Sequence, residues 1–286
     1  MNRSFISIIA AALWMISIGV GHASTGKPLP TYLALGDSLA YGMQIGHLKE
    51  EIASGKVTAS SFDTGYVNLI TLKLKKENPD LHVINLGCPA ETTSSFIDGP
   101  CGYATTGAPF GSTPLPLHHT YKGSQLSTAI RILRGHNYNV KLITLDLGIN
   151  DLRAIELKCS SSPNFQDCLK QGWPMAEIKV DNNLKVILKK IRSAAPHTKI
   201  LVMTYYNWLA LQHPSSNNEV RQLNKIITQS ANSVGATTVD VFPSFNDSDN
   251  IRSHLCKLSL ICGPTKDLHP TNAGYRLIAD LFEKNL

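Results

Sequence analysis

The chain has 286 residues, 43% of them hydrophobic, and a formal net charge of +6. This length suits a single α/β domain with a full core, and no Gly/Pro/Ser-rich linker or sustained run of charge divides the sequence. The lysines are scattered, as they are on solvated helix faces, which argues against a nucleic-acid-binding protein.

The first residues are typical of a secretory signal peptide. Arg3 supplies a positive start, residues 5–20 are almost entirely apolar, and Gly21-His22-Ala23 places small residues where signal peptidase reads them. We expect cleavage after this segment, which leaves residues 24–286 as one secreted, extracellular domain. An uncleaved membrane anchor is the less favoured alternative, because the apolar stretch is short for a membrane span and no basic stop follows it.

Five short apolar segments of the mature chain are rich in Leu, Ile and Val, which is typical of buried strands. They alternate with segments whose apolar residues recur at helical spacing. Such alternation favours a parallel sheet covered by helices on both faces, although it does not give the strand order. The predicted strands are Tyr32–Leu35, His82–Leu86, Val140–Leu147, Lys199–Thr204 and Thr237–Val241, and the predicted helices are Phe62–Glu77, Leu126–Leu133, Met175–Ala194, Asn217–Val234 and Asn272–Leu286.

Four segments are predicted to be irregular. They are residues 42–60, 95–122, 157–173 and 242–265, of which the last two each contain a pair of cysteines. The segment 95–122 is rich in Gly and Pro, and a loop of that length inside a compact domain is usually functional. We expect it to form a wall or lid of a cleft.

Polar residues follow several of the predicted strands. Ser38 comes after the first strand in Gly36-Asp37-Ser38-Leu39, residues 87–90 follow the second, Asn150 follows the third, and His269 lies just before the last helix. Because parallel strands end at one edge of a sheet, we expect these residues to converge there.

Ser38 and His269 are the candidate nucleophile and base of a serine-dependent reaction. Pro270 restricts His269 to an extended backbone, and Asp267 lies two residues earlier, where extended side chains share a face. Its carboxylate is thus placed to stabilise the imidazolium. Taken singly, Ser38 would be read as a turn or helix N-cap residue, and His269 as a surface or core residue.

A tetrahedral oxyanion requires donors that are already aimed at it. The candidates are the Ser38 N–H, the Asn150 side-chain amide and one backbone N–H that follows the second strand. Asn150 alone would be read as a turn residue.

Four blocks of this sequence resemble, in order, the conserved blocks of the SGNH hydrolases, the GDSL lipase/esterase family. They are residues 36–39 (Gly-Asp-Ser-Leu), 85–92 (Asn-Leu-Gly-Cys-Pro-Ala-Glu-Thr), 148–151 (Gly-Ile-Asn-Asp) and 267–270 (Asp-Leu-His-Pro). The chain looks most like the secreted bacterial branch. The resemblance implies a flavodoxin-like three-layer α/β/α sandwich with a five-stranded parallel sheet of order 2-1-3-4-5. An α/β-hydrolase nucleophile elbow is not supported, because no Gly-x-Ser-x-Gly is present.

Two positions depart from the family pattern. The second block usually ends in Gly, where this chain has Ala90. The Ala90 N–H can serve as an oxyanion donor if φ is negative, whereas a positive φ would strain the residue. Gly87 is the fallback donor. The family commonly has Asp three residues before the histidine, where this chain has Lys266, so the acid is assigned to Asp267.

The six cysteines fall into three local pairs, and six cysteines allow 15 pairings. We expect nearest neighbours to bond, because each pair brackets a loop-like stretch: Cys88 with Cys101, Cys159 with Cys168, and Cys256 with Cys262. A zinc site is not favoured, because no pair has Cys-x-x-Cys spacing. We expect neither a metal nor a cofactor.

Together these features predict an exported serine esterase or lipase that forms an acyl-enzyme on Ser38, acting on a small-molecule or lipid ester. Tyr205, Tyr206 and Trp208, with the apolar long loop, favour an acyl-lipid substrate. The alternatives are acyl transfer to a lipid or sterol acceptor and a non-catalytic binding module. We expect a monomer with no nucleic-acid partner, and contact with a lipid interface is left open.

Overall fold

The computed structural model describes residues 27–106, 114–246 and 249–286. The signal peptide predicted for residues 1–23 lies outside the described residues. Within the described ranges, no helix combines the length and apolar character needed to cross a bilayer.

The centre of the fold is a five-stranded parallel sheet. Its strands are buried on both sides, which explains why they appear in the sequence as continuous apolar runs. The spatial order is β2-β1-β3-β4-β5, so the predicted order is confirmed. The strands are β1 (Leu29–Gly36), β2 (His82–Asn85), β3 (Tyr138–Asp146), β4 (Lys199–Met203) and β5 (Thr237–Val239).

Helices cover both faces of the sheet, which confirms the predicted three-layer α/β/α architecture. α3 and α12 pack together on one face, and α6, α8 and α9 pack side by side on the other. The helices are α1 (Ser38–Tyr41), α2 (Ile45–Ser54), α3 (Tyr66–Glu77), α4 (Thr93–Asp98), α5 (Gly102–Thr106), α6 (Gln125–Arg134), α7 (Ile149–Cys159), α8 (Phe165–Ala194), α9 (Ser216–Asn232), α10 (Phe242–Asn246), α11 (Ile251–Leu258) and α12 (Asn272–Glu283). Single 3₁₀ turns are Ala59–Phe62, Trp208–Leu211 and Leu260–Cys262.

The four segments predicted to be irregular contain helices, so that prediction was wrong. α2 lies within residues 42–60, the end of α4 and all of α5 within 95–122, and α10 and α11 within 242–265. These helices are short, from 5 to 10 residues, and a stretch of that length gives only a weak helix signal in a sequence.

The segment 157–173 is also mostly helical, because α7 continues to Cys159 and α8 already begins at Phe165. Pro174 lies inside α8, where local sequence rules predict a break. Tertiary contacts outweigh that tendency: the Trp173 indole is buried and donates to the Leu152 carbonyl of α7 at 3.2 Å.

The six cysteines form three disulfides, each between nearest neighbours in the sequence as expected. They are Cys88–Cys101, Cys159–Cys168 and Cys256–Cys262. The second joins the end of α7 to the start of α8, and the third closes the segment between α11 and the following 3₁₀ turn.

Candidate active site

Ser38 lies at the carboxyl edge of the sheet, at the first position of α1. Asp37 caps this helix, with Oδ1 accepting the Leu39 N–H at 2.9 Å. The preceding Gly36 has a φ of 141°, and a side chain there would collide with Asp146 on the neighbouring strand. The turn therefore requires glycine at position 36, which brings the nucleophile loop close to β3.

The structure brings Ser38, His269 and Asp267 into one hydrogen-bonded chain. His269 Nε2 lies 2.9 Å from Ser38 Oγ, and His269 Nδ1 lies 2.6 Å from Asp267 Oδ1. All three side chains are buried, with Ser38 8% and His269 6% exposed. The serine and histidine are 231 positions apart in the sequence. The arrangement is that of a nucleophile, a base and an orienting carboxylate.

The environment of Asp267 keeps it ionised. Burial by itself would raise the pKa of the carboxyl, but hydrogen bonds and charge from His269, together with the Ile45 N–H, hold this pKa below its ordinary value. Asp267 Oδ2 accepts that N–H at 2.6 Å. The carboxylate thus has a fixed orientation as well as a charge.

The loop that carries His269 is held from two sides. The His269 carbonyl accepts the Leu260 N–H at 2.9 Å, and Pro270 forms an isolated β-bridge with Ser259. From the other side, the Gln44 amide donates to the Pro270 carbonyl at 2.9 Å. These bonds place the base by means of backbone contacts that no spacing in the sequence reveals.

Of the two backbone donors considered after the second strand, only Ala90 is available. The Gly87 N–H donates to the Asn85 side chain at 2.9 Å, and a Cβ on Gly87 would approach the Tyr41 nitrogen to 2.7 Å. Gly87 is therefore kept small by its close approach to α1, and its N–H is already engaged. The Ala90 N–H has no protein acceptor among the described residues.

Ala90 adopts the left-handed conformation, with φ of 61°. Alanine can serve as an oxyanion donor without strain only if its φ is negative. The positive φ observed here means that the Ala90 backbone is strained. This conformation costs an alanine about 1–2 kcal/mol relative to the right-handed region. Its occurrence beside Ser38 fits the tendency of backbone strain to lie at functional sites.

The Asn150 side chain lies beside Ser38 but is engaged in the resting structure. Its Nδ2 donates to Asp37 Oδ2 at 3.2 Å and to the Glu91 carbonyl at 3.1 Å. Both partners are acceptors, so the amide nitrogen and not the oxygen faces them. To bind an oxyanion, Asn150 must share or exchange one of these two bonds.

Two cavities meet at Ser38 and Asn150. The smaller has a volume of about 20 Å³, and the larger has a volume of about 230 Å³ and extends along His269. Both cavities are lined by Ser38, Asn150, Arg153 and Leu268. The smaller is also lined by Asp37, Leu39, Ile149, Tyr205, Tyr206 and Trp208. The larger is also lined by Met43, Ile45, Pro89, Ala90, Tyr103, Leu157 and His269.

A family model described as the GDSL-like Lipase/Acylhydrolase family matches residues 34–277. The chain belongs to this family. The family resemblance found in the sequence blocks is thereby confirmed, and the chain is a carboxylic ester hydrolase by class. No curated protein sequence matches it significantly.

Solved structures similar to this GDSL-family chain are distant in sequence and alike in fold. An extracellular lipase from Streptomyces rimosus is 14% identical with a TM-score of 0.58, over 90% of this chain and 100% of that one. The lipase Lip_vut3 from a goat rumen metagenome is 16% identical with a TM-score of 0.56, over 89% and 96%. An acetyl-xylooligosaccharide esterase from Geobacillus stearothermophilus, in a mutant form, is 14% identical with a TM-score of 0.54, over 90% and 94%.

Sequence reasoning missed two buried carboxyl groups behind Ser38. Asp37 accepts the Tyr205 hydroxyl at 2.7 Å, and Asp146 accepts the Tyr66 hydroxyl at 2.9 Å and the Ala40 N–H at 3.1 Å. Burial raises the pKa of both groups, and the charge of Asp37 raises that of Asp146 further.

Glu91 is a third buried carboxyl that the sequence did not reveal. Burial raises its pKa to about 7, opposed in part by a hydrogen bond from Gln125 at 3.1 Å. Gln125 also accepts from the Gly36 N–H at 2.7 Å and donates to the Gly36 carbonyl at 2.9 Å. This network fixes the end of β1 and couples it to the segment that follows Ala90.

Across the described ranges, no group of three or more His, Cys, Asp or Glu is placed to hold a metal ion.

Proposed function

We propose that the protein hydrolyses carboxylic esters through an acyl-enzyme on Ser38. The observation that carries this proposal is the continuous hydrogen-bonded chain from Asp267 through His269 to Ser38. His269 accepts the Ser38 hydroxyl proton as Oγ attacks the ester carbonyl carbon, and Asp267 stabilises the imidazolium that forms.

The negative charge of the tetrahedral intermediate needs donors on its other side. The Ser38 and Ala90 N–H groups have no protein acceptor among the described residues, and the Asn150 amide lies between the same two cavities. We assign these three groups to the oxyanion hole. The two backbone N–H groups are held by the turns that carry them, whereas Asn150 must share or exchange one of its two present hydrogen bonds.

Collapse of the intermediate breaks the bond between the carbonyl carbon and the leaving oxygen. His269 gives its proton to that oxygen, so an alcohol departs and the acyl group stays on Ser38. A water then attacks the acyl-enzyme with His269 again as base, which releases the carboxylic acid and restores the serine hydroxyl. The proposed cycle consumes one water and requires no cofactor.

We further propose that the protein is exported and acts as a monomer on a small-molecule or lipid ester. Three disulfides are typical of an oxidising compartment, and residues 1–23 have the pattern of a signal peptide. All residues of the proposed site belong to one chain. Leu157 is 58% exposed at the larger cavity, which suits an ester that carries an apolar group or meets a lipid surface.

A fluorophosphonate probe tests the function directly, because it modifies serines that a neighbouring base activates. We expect labelling at Ser38 alone, and loss of both labelling and p-nitrophenyl acetate hydrolysis in Ser38→Ala. The loss of turnover should be on the order of 10⁴-fold or more. Ser54→Ala, which alters an exposed serine of α2, is the matched control and should behave as wild type. Substantial turnover by Ser38→Ala would refute the proposal, and a folded protein that neither labels nor hydrolyses esters would indicate a binding module.

A further inference from the structure

The two cavities at Ser38 differ in volume by an order of magnitude, about 20 Å³ against about 230 Å³. An ester has two sides, the acyl group and the alcohol, and each must occupy space next to the nucleophile. Which side enters which cavity therefore determines the substrates that the protein accepts.

The position of His269 determines which side of the ester enters which cavity. The leaving oxygen must come within hydrogen-bond reach of His269 Nε2 to be protonated, so the alcohol lies on the side of the histidine. His269 lines the larger cavity and not the smaller one. Ala90, the proposed oxyanion donor, also lines the larger cavity. The smaller cavity is the remaining direction at the carbonyl carbon, and the acyl group points into it.

We propose that the protein is selective for esters of short acyl groups, acetyl above all, and that the large apolar part of its substrate is the alcohol. This inference rests on the proposed acyl-enzyme mechanism. It differs from the sequence-based expectation of an acyl-lipid substrate, because the aromatic residues after β4 narrow the acyl side instead of forming a channel for a chain.

The size of the smaller cavity sets the limit. Roughly 10–15 Å³ is needed to hold one water molecule, so a cavity volume of about 20 Å³ favours a small acyl group such as acetyl. Each further methylene of the acyl chain must displace the wall. Overpacking of this kind is unfavourable in a close-packed interior.

Two residues of this wall, Tyr205 and Tyr206, are tied to neighbouring elements. The Tyr205 backbone exchanges two hydrogen bonds with the Asn224 side chain, at 2.8 Å and 2.7 Å, and its hydroxyl donates to the buried Asp37. The Tyr206 ring stacks on Phe245 with centroids 4.2 Å apart. These contacts tie the segment after β4 to α9, α10 and the nucleophile turn.

The larger cavity has the opposite character. Its walls include the exposed side chain of Leu157 as well as the buried side chain of Met43, so one side faces solvent. Apolar atoms from Ile45 and Pro89 complete it. An alcohol of considerable size can lie there, provided that part of it is apolar.

A pair of constitutional isomers tests the assignment with hydrophobicity held constant. Hexyl acetate and methyl heptanoate have the same composition and differ only in which side of the ester carries the six-carbon chain. We expect kcat/KM to be at least about 10-fold higher for hexyl acetate, since one methylene can change this ratio by about 10-fold in a fitted pocket. A ratio near one, or preference for methyl heptanoate, would overturn the inference and leave the ester-hydrolase proposal standing. If neither isomer nor p-nitrophenyl acetate reacts and Ser38 is not labelled, the proposed function itself fails.

Variants of the two walls provide the structural test, with p-nitrophenol as the common leaving group. Trp208→Leu enlarges the smaller cavity and should raise the octanoate-to-acetate ratio of kcat/KM by about 10-fold or more. Leu157→Ala, in the larger cavity, is the matched control and should leave this ratio unchanged. If Trp208→Leu does not fold, Ile149→Ala opens the same cavity. An unchanged ratio in a folded variant of the smaller cavity would contradict the assignment.

Discussion

Asp267 and His269 are joined twice through one oxygen atom. Asp267 Oδ1 accepts the backbone N–H of His269 at 3.1 Å and its ring Nδ1 at 2.6 Å. The ring orientation is thereby fixed relative to its own backbone. The other oxygen, Oδ2, accepts the Ile45 N–H, so both oxygens of the carboxylate are used as acceptors.

We predict that Asp267→Asn lowers kcat far more than a loss of charge on the surface would. An amide has only one acceptor oxygen, so the NH₂ group of the new asparagine must face either His269 or the Ile45 N–H. In either arrangement a donor of the amide points at a donor of the protein. The expected loss is on the order of 10²–10⁴-fold in kcat for p-nitrophenyl acetate. Asp181→Asn, which alters a surface pair with Lys185, is the control and should retain activity. Near-normal turnover by folded Asp267→Asn would remove Asp267 from the site.

Asn150 gives a second prediction, on the oxyanion. Asn150→Ala should lower kcat by roughly 10²–10³-fold with little change in KM, because the lost interaction is made mainly in the transition state. Asn150→Asp should be at least as harmful, since its carboxylate would face Asp37 Oδ2 and the Glu91 carbonyl as well as the developing charge. Steady-state kinetics on both variants test whether Asn150 is an oxyanion donor. Activity of Asn150→Asp near the wild-type level at neutral pH would leave only backbone donors in the oxyanion hole.

Ala90 gives a third prediction, on backbone strain. Ala90→Gly relieves the left-handed conformation but adds freedom to the unfolded chain, so Tm should stay level or rise slightly. Activity should persist, because the donor is a backbone N–H. Ala90→Val, with a β-branched side chain at the same φ, should lower both Tm and kcat. If Ala90→Val is as stable and active as wild type, the backbone at position 90 is not strained.

Glu91 makes the free energy of unfolding depend on pH. Its folded pKa of about 7 lies above the ordinary value of 4.5. The unfolded chain therefore releases this proton first, and the stabilising contribution is complete below pH 4.5 and is lost as pH rises through 7. We expect Glu91→Gln to gain about 3 kcal/mol relative to wild type between pH 4.5 and pH 8. Denaturant unfolding at both pH values measures this difference, and parallel pH curves for the two proteins would rule the effect out.

The strands and the placement of the site residues could be predicted from sequence because both follow local rules. Buried parallel strands are apolar runs, and their carboxyl ends meet at one edge, so Ser38, Asn150 and the segment 87–90 were expected together. Asp267 and His269 are two residues apart, and an extended backbone already implies their contact.

Other parts of the site depend on contacts between residues far apart in sequence. Asp146 is buried beside Asp37 and satisfied by Tyr66, 80 positions away, so nothing in its local sequence marks it. The Gly87 N–H is engaged by Asn85, whose side chain also donates to the Ala40 carbonyl of α1. The helices between 42 and 60 and between 242 and 265 are short, so sequence alone gives little signal for them.

The hydrogen bond between Ile45 and Asp267 has a consequence for the order of synthesis. This bond, and that between Gln44 and Pro270, join segments 222 and 226 positions apart. A ribosome makes Ser38 early and His269 more than two hundred residues later, so the nucleophile exists through most of translation without a base. Under the proposed mechanism, the growing chain therefore carries Ser38 without its base until His269 has been made, and no shorter nascent form contains the complete proposed site.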